Sequence, residues 1–284
     1  MTVQAHAKVN FTLEVFDKRA DGYHALRSVV MPISLTDTLD IEVMDDGSIT
    51  SDTGYDDDLC VKAARVLRQC QDVRRETKDA RPGAAIRVTK RIPAGGGLGG
   101  GSADAAAVLR ALNELWKIGL AREELAEIGA QVGSDVPALV LNGPVVMEGR
   151  GEKVSPLSDL QPSTFNLVLV NPGVHSSTKE VYSACEARSL EGEDLTAKMV
   201  AALKTGDLAK IAASLMNDLQ APAVRQHPEI ADALVSLRTA GVVGAMMSGS
   251  GSSVFGLVTD EAAAQRISQE LNAKGLRAWP VHTI

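Results

Sequence analysis

The chain has 284 residues, 45% of them hydrophobic and 23% charged, enough for one large or two ordinary domains with proper cores. A formal net charge of −7 argues against a broad cationic surface for nucleic acid, so an anionic ligand has to be held by local groups. No apolar run reaches the length of a bilayer span, Met1 to His6 lacks the basic and apolar stretches of a signal peptide, and the three cysteines (Cys60, Cys70 and Cys185) lack metal-like spacing and read as reduced thiols, so a cytoplasmic location is expected, with no membrane or nucleic-acid partner.

Residues 3–15 alternate. Val3, Ala5, Ala7, Val9, Phe11, Leu13 and Val15 fall on one side; Gln4, His6, Lys8, Asn10, Thr12 and Glu14 fall on the other. Period two predicts a half-buried strand. Lys8 within it is either an edge charge that deters aggregation or a functional group, and the strand alone does not decide. Asp21-Gly22 marks a turn, followed by Tyr23 and His24. Tyr23 by itself would cover the core edge; His24 reads as a surface histidine rather than a metal ligand, because no second ligand lies at helical or hairpin spacing. Leu35 to Val43 alternates again, Asp45 to Asp58 is a polar acidic loop, residues 59–70 form an amphipathic helix, and residues 74–83 are a charged loop.

A strand over 86–92 leads into Pro93-Ala94-Gly95-Gly96-Gly97-Leu98-Gly99-Gly100-Gly101-Ser102-Ala103, and an alanine-rich helix follows over 102–116. Six of these eleven residues lack a Cβ, which lets a ligand approach the main chain closely. A loop that ends at a helix start points unpaired N–H groups outward, where the helix dipole favours negative charge. The run therefore reads as a phosphate cradle rather than a flexible linker, whose flanks would not look ordered. P-loop NTPases need Lys-Ser or Lys-Thr after the last glycine, and Gly101 is followed directly by Ser102. The dinucleotide fingerprint is met by Gly95, Gly97 and Gly100, but Glu114, near the required acidic spacing, falls inside the helix and not at a strand tip.

A helix over 123–132 is expected to stop at Gly133. Asp135, in Gly133-Ser134-Asp135-Val136-Pro137, is either a helix cap or a carboxylate kept ionised at a helix start and able to accept a proton. Pro156 to Pro162 is the best domain boundary. Beyond it come a strand over 166–171, the Asn171-Pro172-Gly173 turn with Thr178 and Tyr182 after it, helices around 195–220 and 228–240, the run Gly249-Ser250-Gly251-Ser252-Ser253, a strand over 254–258, a helix over 260–273 and a strand over 276–281. The second glycine run is either a hairpin turn or a wall against the first. Strict βαβα alternation is missing, which argues for two α+β domains, 1–158 and 159–284.

Taken together, Ala7-Lys8-Val9-Asn10, Asp21-Gly22-Tyr23-His24, Pro93 to Ala103, Gly133 to Pro137 and Ser248-Gly249-Ser250-Gly251 resemble the GHMP kinase superfamily, over nearly the whole chain and in the right order. The Lys-Val-Asn strand and the Asp-Gly-Tyr-His turn narrow the resemblance to the branch that phosphorylates the 2-hydroxyl of 4-diphosphocytidyl-2-C-methyl-D-erythritol in the non-mevalonate isoprenoid route. Ala94 and Tyr182 depart from the residues usual in that branch. Tyr182 stands where Phe is common.

The resemblance implies a fold with an N-terminal domain like ribosomal protein S5 domain 2 and a ferredoxin-like C-terminal domain. It implies that Pro93 to Ala103 wraps the ATP phosphates, that Asp135 is the general base and that Lys8 keeps this carboxylate ionised and stabilises the alkoxide. It also implies that Asn10 holds the substrate's polar chain, that Tyr23 and Tyr182 sandwich a cytosine with His24 at its edge, and that Thr178 lines the same pocket. Mg²⁺ is expected with the ATP, with protein ligands unassigned, and the chain is expected to be a monomer or weak homodimer. Two rivals stay open: a GHMP kinase acting on a sugar, homoserine or a mevalonate derivative, and a non-catalytic nucleotide-binding module.

Overall fold

The alternating N-terminal segment forms two strands, β1 (Thr2–Asn10) and β2 (Thr12–Lys18). In the computed structural model, which describes residues 1–74, 82–160, 164–189 and 191–284, both faces of this segment are covered from Ala7 to Phe16, whereas the alternation predicts burial of the apolar side alone. The polar side chains are buried because they have partners. Glu14, for example, accepts the backbone N–H groups of Leu195 and Thr196 at 3.3 and 3.0 Å. The charged stretch at 74–83 falls largely outside the described residues, and so does Pro162.

The chain forms two units, neither continuous in sequence. One comprises Met1–Ala7, Leu35–Ile92 and Gly99–Asn142. In it the later part of β3 (His24–Met44) pairs antiparallel with β5 (Gly83–Thr89), Thr38 opposite Thr89 and Met44 opposite Gly83, and β4 (Ile49–Ser51) joins β5 in parallel. Four helices pack together: α1 (Leu59–Arg74), α2 (Gly100–Leu115), α3 (Arg122–Gly129) and α4 (Val136–Leu141). The alanines of α2 (Ala103, Ala105, Ala106, Ala107 and Ala111) are buried, and their small side chains let α1 and α4 come close. The helix expected over 123–132 ends earlier, at Gly129, with Ala130 as its C-cap, and the strand expected over 86–92 ends at Thr89.

The other unit comprises Lys8–Ser34, Pro93–Leu98 and Gly143–Ile284. Here the earlier part of β3 pairs with β2 on one side and with β6 (Val145–Gly149) on the other; β6 pairs with β7 (Lys153–Pro156). A four-stranded antiparallel sheet holds β8 (Asn166–Asn171), β10 (Gly244–Met247), β11 (Val254–Val258) and β12 (Arg277–His282) in the order β10-β11-β8-β12. With α9 (Glu229–Thr239) before β10 and α10 (Glu261–Ala273) before β12, this is the split β-α-β arrangement of a ferredoxin-like sheet. Phe11 stacks on Phe255, ring centroids 5.6 Å apart, and tilts against Phe165 at 6.3 Å.

The remaining helices of this unit are α5 (Thr178–Ser183), α6 (Leu195–Thr205), α7 (Leu208–Ser214) and α8 (Gln220–Gln226), with the short strand β9 (Met216–Asn217) pairing in parallel with β2. The helix expected around 195–220 is thus divided. Gly206 ends α6, and Asp207 starts α7 by accepting the N–H groups of Ala209 and Lys210.

Candidate active site

Lys8 is 4% exposed. A charge that protects a sheet edge has to face solvent, so the edge reading of Lys8 fails. Its Nζ donates to Asn10 Oδ1 at 2.7 Å, Asn10 Nδ2 donates to Ser28 Oγ at 2.8 Å, and Ser28 Oγ donates to the Thr12 carbonyl at 2.5 Å. The backbone N–H of Lys8 donates to the Leu98 carbonyl at 3.0 Å. The strand that carries the ammonium is thereby tied to the middle of the glycine run.

The Ser248–Ser253 loop, which joins β10 to β11, packs on that run. Ser248 Oγ donates to the Gly97 carbonyl at 3.0 Å, and the Ser253 N–H donates to the Gly96 carbonyl at 3.1 Å. A Cβ built on Gly249 would lie 3.3 Å from Lys8 Nζ, which puts the ammonium beside this second wall. Thr178 joins the same loop, its Oγ1 lying 2.9 Å from Ser250 Oγ. Sequence reasoning missed the residues that hold the wall in place. Ser176 Oγ donates to the Ser250 carbonyl at 2.7 Å, Asn217 Nδ2 donates to the Met247 and Gly249 carbonyls at 2.9 and 2.8 Å, and Asn171 Nδ2 donates to Ser253 Oγ at 3.0 Å. His175 lies against Gly95.

His24 and Tyr182 come together, ring centroids 6.1 Å apart and planes inclined by 34°. His24 Nδ1 lies 2.8 Å from the Phe16 carbonyl oxygen, which can only accept. Nδ1 therefore carries the hydrogen, and in the neutral ring Nε2 is left as an acceptor. Tyr23 is 57% exposed, with the Arg150 guanidinium 5.6 Å from its ring centroid. Its backbone N–H is fixed by Asp21 Oδ1 at 3.1 Å.

The rest of the glycine run belongs to the helical unit. Gly99 precedes α2, which opens at Gly100, two residues before the expected start at Ser102. The first amides of a helix have no intrahelical acceptor and face whatever lies beyond its start. Asp135 precedes α4, yet its carboxylate makes no cap hydrogen bond to that helix. The capping role is thus removed as its explanation. A Cβ on Gly133 would lie 3.8 Å from Ser102 Oγ, so the Gly133–Pro137 segment runs beside the start of α2. The helical unit therefore places the segment that carries Asp135 beside a helix start, where unpaired amides favour negative charge.

Cys60, Cys70 and Cys185 are free thiols, and burial pushes the Cys60 thiol well above its ordinary range. Among the described residues no helix is long and apolar enough to cross a membrane.

Residues 58–143 match the family model described as GHMP kinases N terminal domain, and residues 199–276 match GHMP kinases C terminal. The chain belongs to the GHMP kinase family. Members of this family are ATP-dependent small-molecule kinases, so the chain is an enzyme of that type. It is 38% identical to the 4-diphosphocytidyl-2-C-methyl-D-erythritol kinase of Symbiobacterium thermophilum over 290 aligned residues, covering 100% of both chains. It is 41% identical to the enzyme of the same name from Pelotomaculum thermopropionicum, covering 94% of this chain and 92% of the relative. The crystal structure of a 4-(cytidine 5'-diphospho)-2C-methyl-D-erythritol kinase superposes with a TM-score of 0.82 at 34% identity, covering 100% of this chain and 99% of the other. A homoserine kinase from Cytophaga hutchinsonii, 19% identical with a TM-score of 0.76 and covering 100% and 94% of the two chains, shares the GHMP kinase fold.

Proposed function

We propose that this GHMP kinase transfers the γ-phosphoryl group of ATP to the 2-hydroxyl of 4-diphosphocytidyl-2-C-methyl-D-erythritol, a step of the non-mevalonate route to isoprenoid precursors. The observation that carries the reading is the pairing of a buried Lys8 ammonium, held by Asn10 and lying beside Gly249, with a His24–Tyr182 ring pair. A kinase for a sugar or homoserine has no use for the second feature. The names of the full-length relatives support the same acceptor.

In this reading the Pro93–Ala103 run holds the ATP phosphates through the backbone N–H groups that follow Pro93. Asp135 takes the hydroxyl proton, and Lys8 stabilises the alkoxide as it forms. Asn10 contacts the substrate's polar chain, and Thr178 lines the cytosine pocket. Tyr23 and Tyr182 stack on the cytosine, and the acceptor nitrogen of His24 receives the N–H of its exocyclic amine. Mg²⁺, if bound with the ATP, would supply charge neutralisation at the phosphates. Such an ion keeps phosphate oxygens and waters as most of its ligands, so the protein need not supply a cage. We further propose a cytoplasmic monomer or weak homodimer. We place the boundary between the two family segments at residues 158 and 159, which the matched ranges 58–143 and 199–276 support.

The test is a transfer assay. Purified protein with ATP and Mg²⁺ is offered the cytidine compound, galactose, homoserine and mevalonate in parallel. Phosphorylation of the first alone is expected; turnover of another acceptor with the cytidine compound untouched would overturn the assignment.

A further inference from the structure

A buried ionic cluster lies at the foot of the glycine run, on residues that the proposed chemistry does not use. Asp37, on β3, is fully buried, and Asp104, near the start of α2, is 3% exposed. Lys90, just past the end of β5, lies between them, its Nζ 2.5 Å from Asp37 Oδ2 and 2.6 Å from Asp104 Oδ2. Asp37 Oδ1 accepts the backbone N–H groups of Arg91 and Ile92, at 2.5 and 2.8 Å. Those residues lead directly into Pro93. On the far side of the run, a Cβ on Gly100 would lie 3.5 Å from Lys90 Nζ and 3.1 Å from Ile92 Cγ2, so chain entry and chain return meet at this ammonium.

Burying carboxylates is costly even when they are paired, and apolar side chains of like volume commonly give equal or greater stability. Stability alone therefore does not account for the cluster. Its geometry does something apolar packing cannot, because directional bonds fix two backbone N–H groups on one side of the run and a helix start on the other. A stretch with six glycines among eleven residues has many conformations open to it, and ordering it on binding is unfavourable.

We propose that Asp37, Lys90 and Asp104 are positioning residues for the nucleotide, clamping both ends of the glycine run so that its amides stand ready for the ATP phosphates. The proposal rests on the reading of that run as the phosphate cradle. Lys90 acts through the loop, and the clamp sets ATP affinity rather than acceptor affinity or the transfer step.

The experiment uses the full chain with Lys90→Gln, Asp37→Asn and Asp104→Asn. ATP affinity is measured by calorimetric titration without acceptor, and amide hydrogen exchange is followed over 92–104. Lys90→Gln is expected to weaken ATP binding about tenfold, the scale of one lost charge-assisted hydrogen bond, and to leave acceptor KM and the turnover rate at saturating ATP within about twofold. Exchange over 92–104 in the ATP-free protein is expected to quicken. If Lys90→Gln does not fold, Asp104→Asn keeps the side-chain shape and, measured at pH 8 where the wild-type carboxyl is ionised, carries the same expectation. Unchanged ATP affinity in a folded variant overturns the clamp. So does weakened ATP binding with unchanged exchange, which would mean that the lysine touches the nucleotide itself. If ATP does not slow exchange over 92–104 in the wild-type protein, the cradle reading is what fails, and the outcome is distinguishable from failure of the clamp.

Discussion

Gly97 meets Ser248 main chain to main chain: a Cβ on Gly97 would lie 2.1 Å from the Ser248 carbonyl oxygen, and Ser248 Oγ returns a hydrogen bond to the Gly97 carbonyl at 3.0 Å. Gly97 also has φ at +72°, where a side chain is strained. Gly97→Ala should lose about 1–2 kcal/mol from the backbone conformation alone, with the clash added to it. Urea unfolding midpoints measure this. A midpoint equal to wild type would mean that the two glycine-rich loops are not packed as described.

Asp135→Asn separates capping from chemistry. Loss of a true N-cap costs about 1 kcal/mol of stability and has no direct effect on turnover. Asp135 makes no cap bond to α4, so the expected phenotype is the reverse: turnover reduced roughly 10²–10⁴-fold, the range for loss of a general base, without a capping loss. Single-turnover kinetics and thermal unfolding of the same preparation decide between them. Normal turnover would sink the base assignment.

How much of this could be read from the sequence depends on where each signal lives. Local patterns were legible: the alternation of Val3 to Val15, the glycine run before an alanine-rich helix, and Gly-Ser-Asp-Val-Pro ahead of a short one. Lys8 was ambiguous, because one strand cannot report what covers its polar face. That it is buried, against Asn10 and Gly249, is a tertiary fact. The same holds for Asn217 and Ser176, which grip the Ser248–Ser253 loop from distant positions, and for Asp37, whose carboxylate serves the backbone of Arg91 and Ile92. The split of the 195–220 helix was legible in principle, since Gly206-Asp207 is a stop followed by a cap.

Tyr182→Ala tests the ring pair. Base–aromatic stacking is worth about 1–3 kcal/mol per base, so KM for the cytidine substrate should rise roughly 5- to 150-fold. KM for ATP should not follow. His24→Phe keeps a ring beside Tyr182 but removes the acceptor nitrogen and the donor to Phe16, and should also raise acceptor KM. Equal rises in both KM values would point to damaged folding instead of a lost base contact.

Asp104 gives the fold a pH dependence of definite sign. Burial pushes its carboxyl from 3.8 up to about 7, against the hydrogen bond and charge of Lys90 and with the charge of Asp37 adding to the rise. The carboxyls of Asp58 and Asp46 shift the other way: at Asp58 burial is the largest single influence and raises the value, but the hydrogen bonds of Thr53, Ser51, Cys60 and Val61 together outweigh it, and at Asp46 the hydrogen bonds of Ser48 lead. For Asp104, the unfolded chain releases its proton near pH 4 while the fold retains it until about pH 7. Between those values the unfolded state binds fewer protons, so this group lowers stability as pH rises, and the loss is complete above about pH 7. Asp104→Asn cannot titrate. The stability of wild type relative to Asp104→Asn should therefore decline from pH 4 to pH 7 and then level off, and subtracting the two urea-unfolding series cancels the shared carboxylates. A flat difference over that range would show that Asp104 is ionised throughout, fully compensated by Lys90.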